Sequence, residues 1–347
     1  MAASDGKQTI SILMLSFLVV CLMLVLVPAS PPPRSADSMP PAAPGPVAVL
    51  HVFLAVGQSN MSGRGLPIGG TEDEIDPRTF QYGAKVRTFR NATVPLDMHD
   101  SATGISPATT FAREYLKAQP ANVGVLIIPA AHGGTAFTNA AATLTWSVGV
   151  ASNPSSDLPA QAVAQTREGI AAATGVGYSA ELKGVLWHQG EGNSAVSTGV
   201  YAARLDALID YVRTRLASPK LPFVVGGLAP EAIAATPSLA NINKALYETP
   251  ARVAYTGFAK STIAGVNPGD KAHFSRLGVE YLGKSYLSGY WQATANDQDS
   301  PRGPAPSVLS VLERRTAPRQ FQFEREASPL RSRKRKRTGQ SLSRTRR

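Results

Sequence analysis

One cysteine, Cys21, is all the thiol chemistry in this chain, and it lies inside an apolar run near the N-terminus. The body therefore has no disulfide, no thiol nucleophile and no cysteine-based zinc site. A body that has to do without disulfides must rely on its core. The whole chain's apolar fraction of 43% is that of a globular protein, so a core can be buried. A strong charge is also missing where the formal +11 would suggest one. From Ala293 to the end, 14 Lys and Arg stand against 5 Asp and Glu. The residues before Ala293 carry only about +2, so the tail is basic and the body is not. No internal repeat is present.

Charge is wholly absent from Thr9 to Pro28, TISILMLSFLVVCLMLVLVP, which is close to the ~20 residues that span a bilayer as a helix. Residues 1–8 are a short flank. The run is longer than the apolar core of a cleaved signal, so a signal anchor is expected. Val27-Pro28-Ala29 before Ser30 keeps a cleaved signal peptide as the alternative. Either form delivers the body across a membrane, single-pass or secreted, with the domain on the non-cytoplasmic side. Residues 29–46, ASPPPRSADSMPPAAPGP, read as an extended linker. An ordered domain is expected over 47–292, and 293–347 reads as a basic disordered tail. Its RKRKR cluster has no interleaved aromatic. Contact with anionic polymers or lipid headgroups is expected there rather than specific nucleic-acid recognition.

Within the body, VAVLHVFLAV (47–56), VGVLIIPA (123–130), LKGVLW (182–187) and LPFVVGGL (221–228) are short, continuous apolar runs. Runs of this kind suit strands buried on both faces of a parallel sheet. Helical periodicity fills 108–118, 197–216 behind Ser197, and 275–291 behind Ser275. The alternation predicts an α/β fold with a mainly parallel central sheet, helices on both faces, and a site at the carboxyl ends of the strands.

Chemistry-bearing residues fall at those ends. LAVGQSNMSG (54–63) is a strand that stops on a polar cluster with Ser59 at its tip, either an ordinary turn or a nucleophile. Met61 stands where a G-x-S-x-G elbow has its last glycine. Of the five histidines, His51 lies in a strand and reads as structural, and His99 lies in a polar loop. His132 and His188 follow strands and are candidate substrate contacts. His273, in GDKAHFS, has Asp270 three residues earlier, a spacing at which a carboxylate can accept the imidazole Nδ1 proton. A surface Asp–His pair has the same spacing. Gly133 and Gly134, in GGT, offer backbone N–H groups for an oxyanion or form a simple turn. Gln189 and Glu191 put an amide and a carboxylate at another strand end, where a polar loop is the alternative.

GQSNMSGRG, GGT, WHQGEGN and DKAHFS, in this order over Val47–Trp291, resemble the sialate O-acetylesterase and plant carbohydrate-acetylesterase family of SGNH-type serine hydrolases. The resemblance implies a three-layer α/β/α, flavodoxin-like sandwich and an esterase acting on O-acetylated carbohydrate without metal or cofactor. It casts Ser59 as nucleophile and His273 with Asp270 as base and orienter, with Glu191 as a rival acid. The oxyanion hole it implies comprises the N–H of Ser59, that of Gly133 or Gly134, and the Gln189 side chain. Gln58, Asn60, His132, His188 and Glu191 become candidate substrate contacts. This chain departs from the family with Gly192 where serine is usual and Asn193 where an acid is frequent. Two other classes remain: a tethered carbohydrate-binding protein that kept the fold without turnover, and a polyanion binder built on the tail. Asn60-Met-Ser62 and Asn91-Ala-Thr93 match the glycosylation sequon; the first overlaps the Ser59 loop, so the second is the more credible acceptor if the chain enters a eukaryotic secretory pathway.

Overall fold

The computed structural model describes residues 47–297, apart from 71–72, 101–103 and 139–142. The apolar segment, the linker and the basic tail lie outside the described residues. Among the described residues, no helix is long and apolar enough to cross a membrane.

Among the described residues, seven strands form one sheet: β1 (Val49–Gly57), β2 (Thr79–Tyr82), β3 (Phe89–Asn91), β4 (Val123–Pro129), β5 (Ser179–His188), β6 (Phe223–Gly226) and β7 (Thr256–Ala259). Their spatial order is β3-β2-β4-β1-β5-β6-β7. Only the β2–β3 pair is antiparallel. The apolar runs account for the centre of this sheet. β1 is buried from Val52 to its end, and β4 along its whole length, as strands covered on both faces must be.

Among the described residues, eight α-helices accompany the strands: α1 (Ser59–Ser62), α2 (Pro107–Leu116), α3 (Leu158–Gly175), α4 (Thr198–Arg215), α5 (Pro230–Ala235), α6 (Leu239–Tyr247), α7 (Thr249–Arg252) and α8 (Arg276–Ala295). α2 and α8 pack together on one face, while α3, α4 and α6 cover the other, giving three layers. The helix starts are locally encoded. The side chains of Ser106, Asp157, Ser197 and Ser275 each accept a backbone N–H from the first turn of α2, α3, α4 and α8. Phe53 of β1 meets Phe111 and Tyr115 of α2 and Tyr290 of α8 edge-on, with centroids 4.8, 5.0 and 5.4 Å apart. Each such pair adds about 0.5–1.5 kcal/mol beyond area burial, which fixes the two helices against the central strand.

β1 lies between β4 and β5, and the chain crosses over it through α3 to build the second half of the sheet. Its carboxyl end is therefore a topological switch point, where connections diverge and leave a crevice. Ser59 sits in that crevice.

Candidate active site

Gly57 ends β1 at φ 128°, and a Cβ there would lie 2.0 Å from the His188 carbonyl oxygen. Only glycine lets β1 run this close to β5 and still turn into α1. The turn is tied down by the Gln58 N–H, which donates to His188 O at 2.8 Å. Ser59 follows at the start of α1. From the other side, the segment between β7 and α8 brings in His273, held by Ser275 as the cap of α8.

Three side chains from two distant segments then meet. His273 Nε2 lies 3.0 Å from Ser59 Oγ, and His273 Nδ1 lies 2.8 Å from Asp270 Oδ2. Asp270 Oδ1 accepts the Ala272 N–H at 2.8 Å and the His273 N–H at 3.0 Å, so the same carboxylate shapes the loop and holds the ring. Partial burial raises its pKa, but these N–H groups and the imidazole outweigh burial and hold it at about 2. With the carboxylate on Nδ1, the proton resides there and Nε2 is left as an acceptor facing the serine hydroxyl.

Glu191, the rival acid, forms neither a hydrogen bond nor an ion pair with His273, whose Nδ1 is taken by Asp270. Its Oε1 accepts Asn60 Nδ2 at 2.6 Å and lies 3.4 Å from His188 Nε2. Burial drives this carboxyl up, yet the His188 imidazole and the Asn60 amide, among other partners, bring it below its usual range. Asn60 in turn spans the histidine loop: Nδ2 donates to Ala272 O at 3.0 Å and Oδ1 accepts the Phe274 N–H at 3.0 Å. It thus grips the peptides on both sides of His273. With its amide fully engaged and the residue 1% exposed, Asn60 supports the loop and is not a substrate contact. The same burial makes its sequon unusable, whereas Asn91 is exposed. His188 is 0% exposed and also lies behind the site rather than in it.

Two expected oxyanion donors are corrected by their partners. The Gly133 N–H is taken by the Asp100 carboxylate, at 2.9 Å to Oδ1 and 3.1 Å to Oδ2. Gln189 is 0% exposed, and its Nε2 donates to Gln58 Oε1 at 3.0 Å and to Asn193 Oδ1 at 2.9 Å. A side chain sealed and saturated in this way cannot meet a substrate. The N–H groups of Ser59 and Gly134 have no partner among the described residues.

Asp100 and Arg64 were not legible as site residues. Arg64 Nη2 reaches Asp100 Oδ2 at 2.7 Å, and Asp100 then holds the Gly133 peptide, so the pair fixes the GGT turn. The contact joins residues 36 apart, with no motif to announce it. His132 is half-buried at this rim, stacked on His99 with ring centroids 5.3 Å apart. Burial, and after it His132, lowers the His99 pKa.

The family departures also acquire reasons. Asn193 Oδ1 accepts the Phe137 N–H at 3.0 Å and its Nδ2 donates to Phe137 O at 2.8 Å. An aspartate could make only the first of these bonds. A Cβ at Gly192 would already lie 3.1 Å from both Ala136 Cβ and Thr135 O, so a serine there would crowd the turn.

A serine, a histidine and a carboxylate thus stand in line at the carboxyl rim of a mostly parallel sheet. The chain belongs to the carbohydrate esterase, sialic acid-specific acetylesterase family, whose pattern it matches over residues 49–292. That family comprises carboxylic ester hydrolases. No curated protein matches the chain. Among solved structures it is similar to NanS, with 19% identity over 71% of this chain and 98% of that one and a TM-score of 0.55. It is likewise similar to a protein from Arabidopsis thaliana, with 22% identity over 70% of this chain and 97% of that one and a TM-score of 0.54. At these identities the two structures bear on the fold alone.

Proposed function

We propose that this protein is a serine esterase that removes O-acetyl groups from carbohydrate through an acetyl-enzyme. The observation that carries the reading is the continuous chain from Ser59 Oγ to His273 Nε2 at 3.0 Å and from His273 Nδ1 to Asp270 at 2.8 Å. Ser59 Oγ attacks the acetyl carbonyl carbon while His273 takes its proton, and the carbonyl π pair moves onto oxygen. The N–H groups of Ser59 and Gly134 receive that oxyanion. The tetrahedral adduct collapses, the sugar oxygen leaves with the proton carried by His273, and an acetyl ester remains on Ser59. Water, deprotonated by the same histidine, then releases acetate. Asp270 keeps the imidazole in the accepting tautomer and stabilises the imidazolium between the two transfers. The acetylated-carbohydrate substrate is supported by family membership.

The test is acetate release from p-nitrophenyl acetate and a panel of O-acetylated glycans by the full-length chain and its Ser59→Ala variant. Release by the parent and none above background by the variant is expected. Equal release by both removes the serine mechanism.

We also propose a membrane tether at the apolar Thr9–Pro28 run, with the basic tail on anionic polymer or lipid. Val47 precedes β1, and the carbonyl of Asn296 accepts the Tyr255 N–H at the start of β7. Both ends of the described chain thus lie at the sheet edge opposite Ser59. A tether there would leave the site facing away from the membrane. Release of the protein by high salt rather than detergent would refute the apolar anchor.

A further inference from the structure

Every group in the proposed mechanism meets the acetyl carbonyl or the proton in transit, and none meets the sugar. His132 stands beside the oxyanion turn without a part in that chemistry. Its backbone N–H donates at 3.0 Å to Gly57 O, the carbonyl two residues before Ser59. Its own carbonyl accepts the Thr135 hydroxyl at 2.6 Å, across the turn that presents the Gly134 N–H. The backbone of His132 is thus tied to the segments that carry both oxyanion donors.

The orientation of its ring follows from its neighbours. Nδ1 lies 3.1 Å from Gly133 O and 3.8 Å from Asp100 Oδ1. Both are acceptors, so Nδ1 carries the proton and donates it to the carbonyl. Turning the ring over would set a carbon against both oxygens, and the hydrogen-bond network excludes it. Nε2 is then left with a lone pair. It has no partner among the described residues, and it is not among their fully sealed, unpaired polar atoms. Behind the ring, His99 stacks with centroids 5.3 Å apart and planes inclined by 26°. The plane of the imidazole and the place of its proton are therefore both set before a substrate arrives.

The chemistry of Nε2 restricts what can meet it. A lone pair needs an O–H or N–H donor. Both oxygens of an acetyl ester only accept, and so does a carboxylate. A free sugar hydroxyl donates. An ester whose carbonyl oxygen sits on the Ser59 and Gly134 N–H groups brings its sugar to the rim where His132 stands.

We propose that His132 Nε2 accepts a hydrogen bond from a free hydroxyl of the sugar, and that this contact favours acetylated carbohydrate over a simple acetyl ester. The inference rests on the serine-esterase reading and deepens it by assigning a side chain to the sugar. Because Gly133 O and His99 already hold the ring, little ordering of the protein opposes the bond.

Two substitutions in the full-length chain remove Nε2 in different ways. His132→Asn keeps an amide donor for Gly133 O and ends short of Nε2. His132→Phe keeps a ring against His99 and has no nitrogen. The readout is kcat/KM for the O-acetylated glycan that the parent cleaves fastest, divided by kcat/KM for p-nitrophenyl acetate, which has no hydroxyl. A disturbed oxyanion turn slows both esters and cancels in this ratio. The expected result is a ratio lower by about three- to tenfold in both variants, carried mainly by KM, as for loss of one uncharged hydrogen bond. A ratio unchanged in both, alongside an inactive Ser59→Ala, overturns the inference while leaving the esterase reading intact. An active Ser59→Ala overturns the esterase reading itself, and the inference with it. A second measurement keeps His132 in case its variants fail to fold: a crystal structure of Ser59→Ala with the same glycan. A sugar hydroxyl should lie within about 2.7–3.2 Å of His132 Nε2. A glycan bound in the site with no hydroxyl at that nitrogen would overturn the assignment.

Discussion

Replacing Asp270 by asparagine separates the two duties of this residue. Oδ1 caps the N–H groups of Ala272 and His273, and Oδ2 holds His273 Nδ1 at 2.8 Å. Asparagine can keep the cap through its oxygen, so the loop should survive with the melting temperature shifted by a few degrees at most. The second position then carries an NH2 group, and an NH2 facing Nδ1 requires Nδ1 to accept. The imidazole proton moves to Nε2, where it faces Ser59 Oγ 3.0 Å away, and the ring can no longer take the serine proton. The corresponding substitution in a Ser-His-Asp triad costs about 10⁴ in kcat. At 1.36 kcal/mol per decade this is about 5 kcal/mol of barrier. KM should change little, because Asp270 reaches the substrate only through His273. The assay is initial-rate acetate release with saturating p-nitrophenyl acetate, calibrated against Ser59→Ala. The stability arm carries a definite sign. The Asp270 carboxyl is held at about 2 against an ordinary value of 3.8, so its pairing stabilises the fold above about pH 4 and is lost as pH falls toward 2. The asparagine variant should show a shallower loss of stability across that window. Activity of Asp270→Asn within tenfold of the parent would refute the assignment, most directly if Glu191→Gln were the inactive variant.

Glu191→Gln should keep the acceptor for Asn60 and leave kcat within about tenfold, since it touches neither Ser59 nor His273. Because the Glu191 carboxyl is held below its ordinary 4.5, the parent should lose stability as pH falls below that value, and the glutamine variant should lose less. This is read by thermal melts from pH 6 to 3. Asn60→Ala strips partners from Ala272 O, the Phe274 N–H and Glu191 together, a loss on the order of 3 kcal/mol. Both melting temperature and kcat should fall, whereas a catalytic drop with an unchanged melt would contradict the loop-holding role. Asn193→Asp loses the donation to Phe137 O and places a carboxylate against that carbonyl. It should destabilise by about 1–3 kcal/mol in denaturant titrations, and a neutral result would remove the reason given for asparagine there.

What the sequence exposes follows from how far each feature depends on distant residues. The strands β1, β4, β5 and β6 are legible because burial on both faces writes a continuous apolar run. The segments TFQY, FRN and TGFA of β2, β3 and β7 are three or four residues long and carry no such run. Their pairing with neighbours makes them strands. Helix α3, LPAQAVAQTREGIAAATG, buries a stripe that includes Ala162, Thr166, Gly169 and Ala173, small or polar residues that write no apolar periodicity. In the site, Asp270 and His273 are readable because they interact within one tight loop, and Ser59 because it closes a buried strand. The engagement of Gln189 is not readable, since it depends on Gln58, Tyr201 and Asn193 converging from separate segments. Nor is the capture of the Gly133 N–H by Asp100, which reaches across from another loop.

The most direct test of the central claim is covalent capture of the nucleophile. The full-length chain is treated with a fluorophosphonate, digested and mapped by mass spectrometry, with residual acetate release followed in parallel. The account predicts one phosphonyl group per chain, carried on Ser59, acquired at the rate at which activity is lost and slowed by acetylated substrate. Activity that persists in the fully labelled protein, or inactivation with the label on another residue, would contradict it.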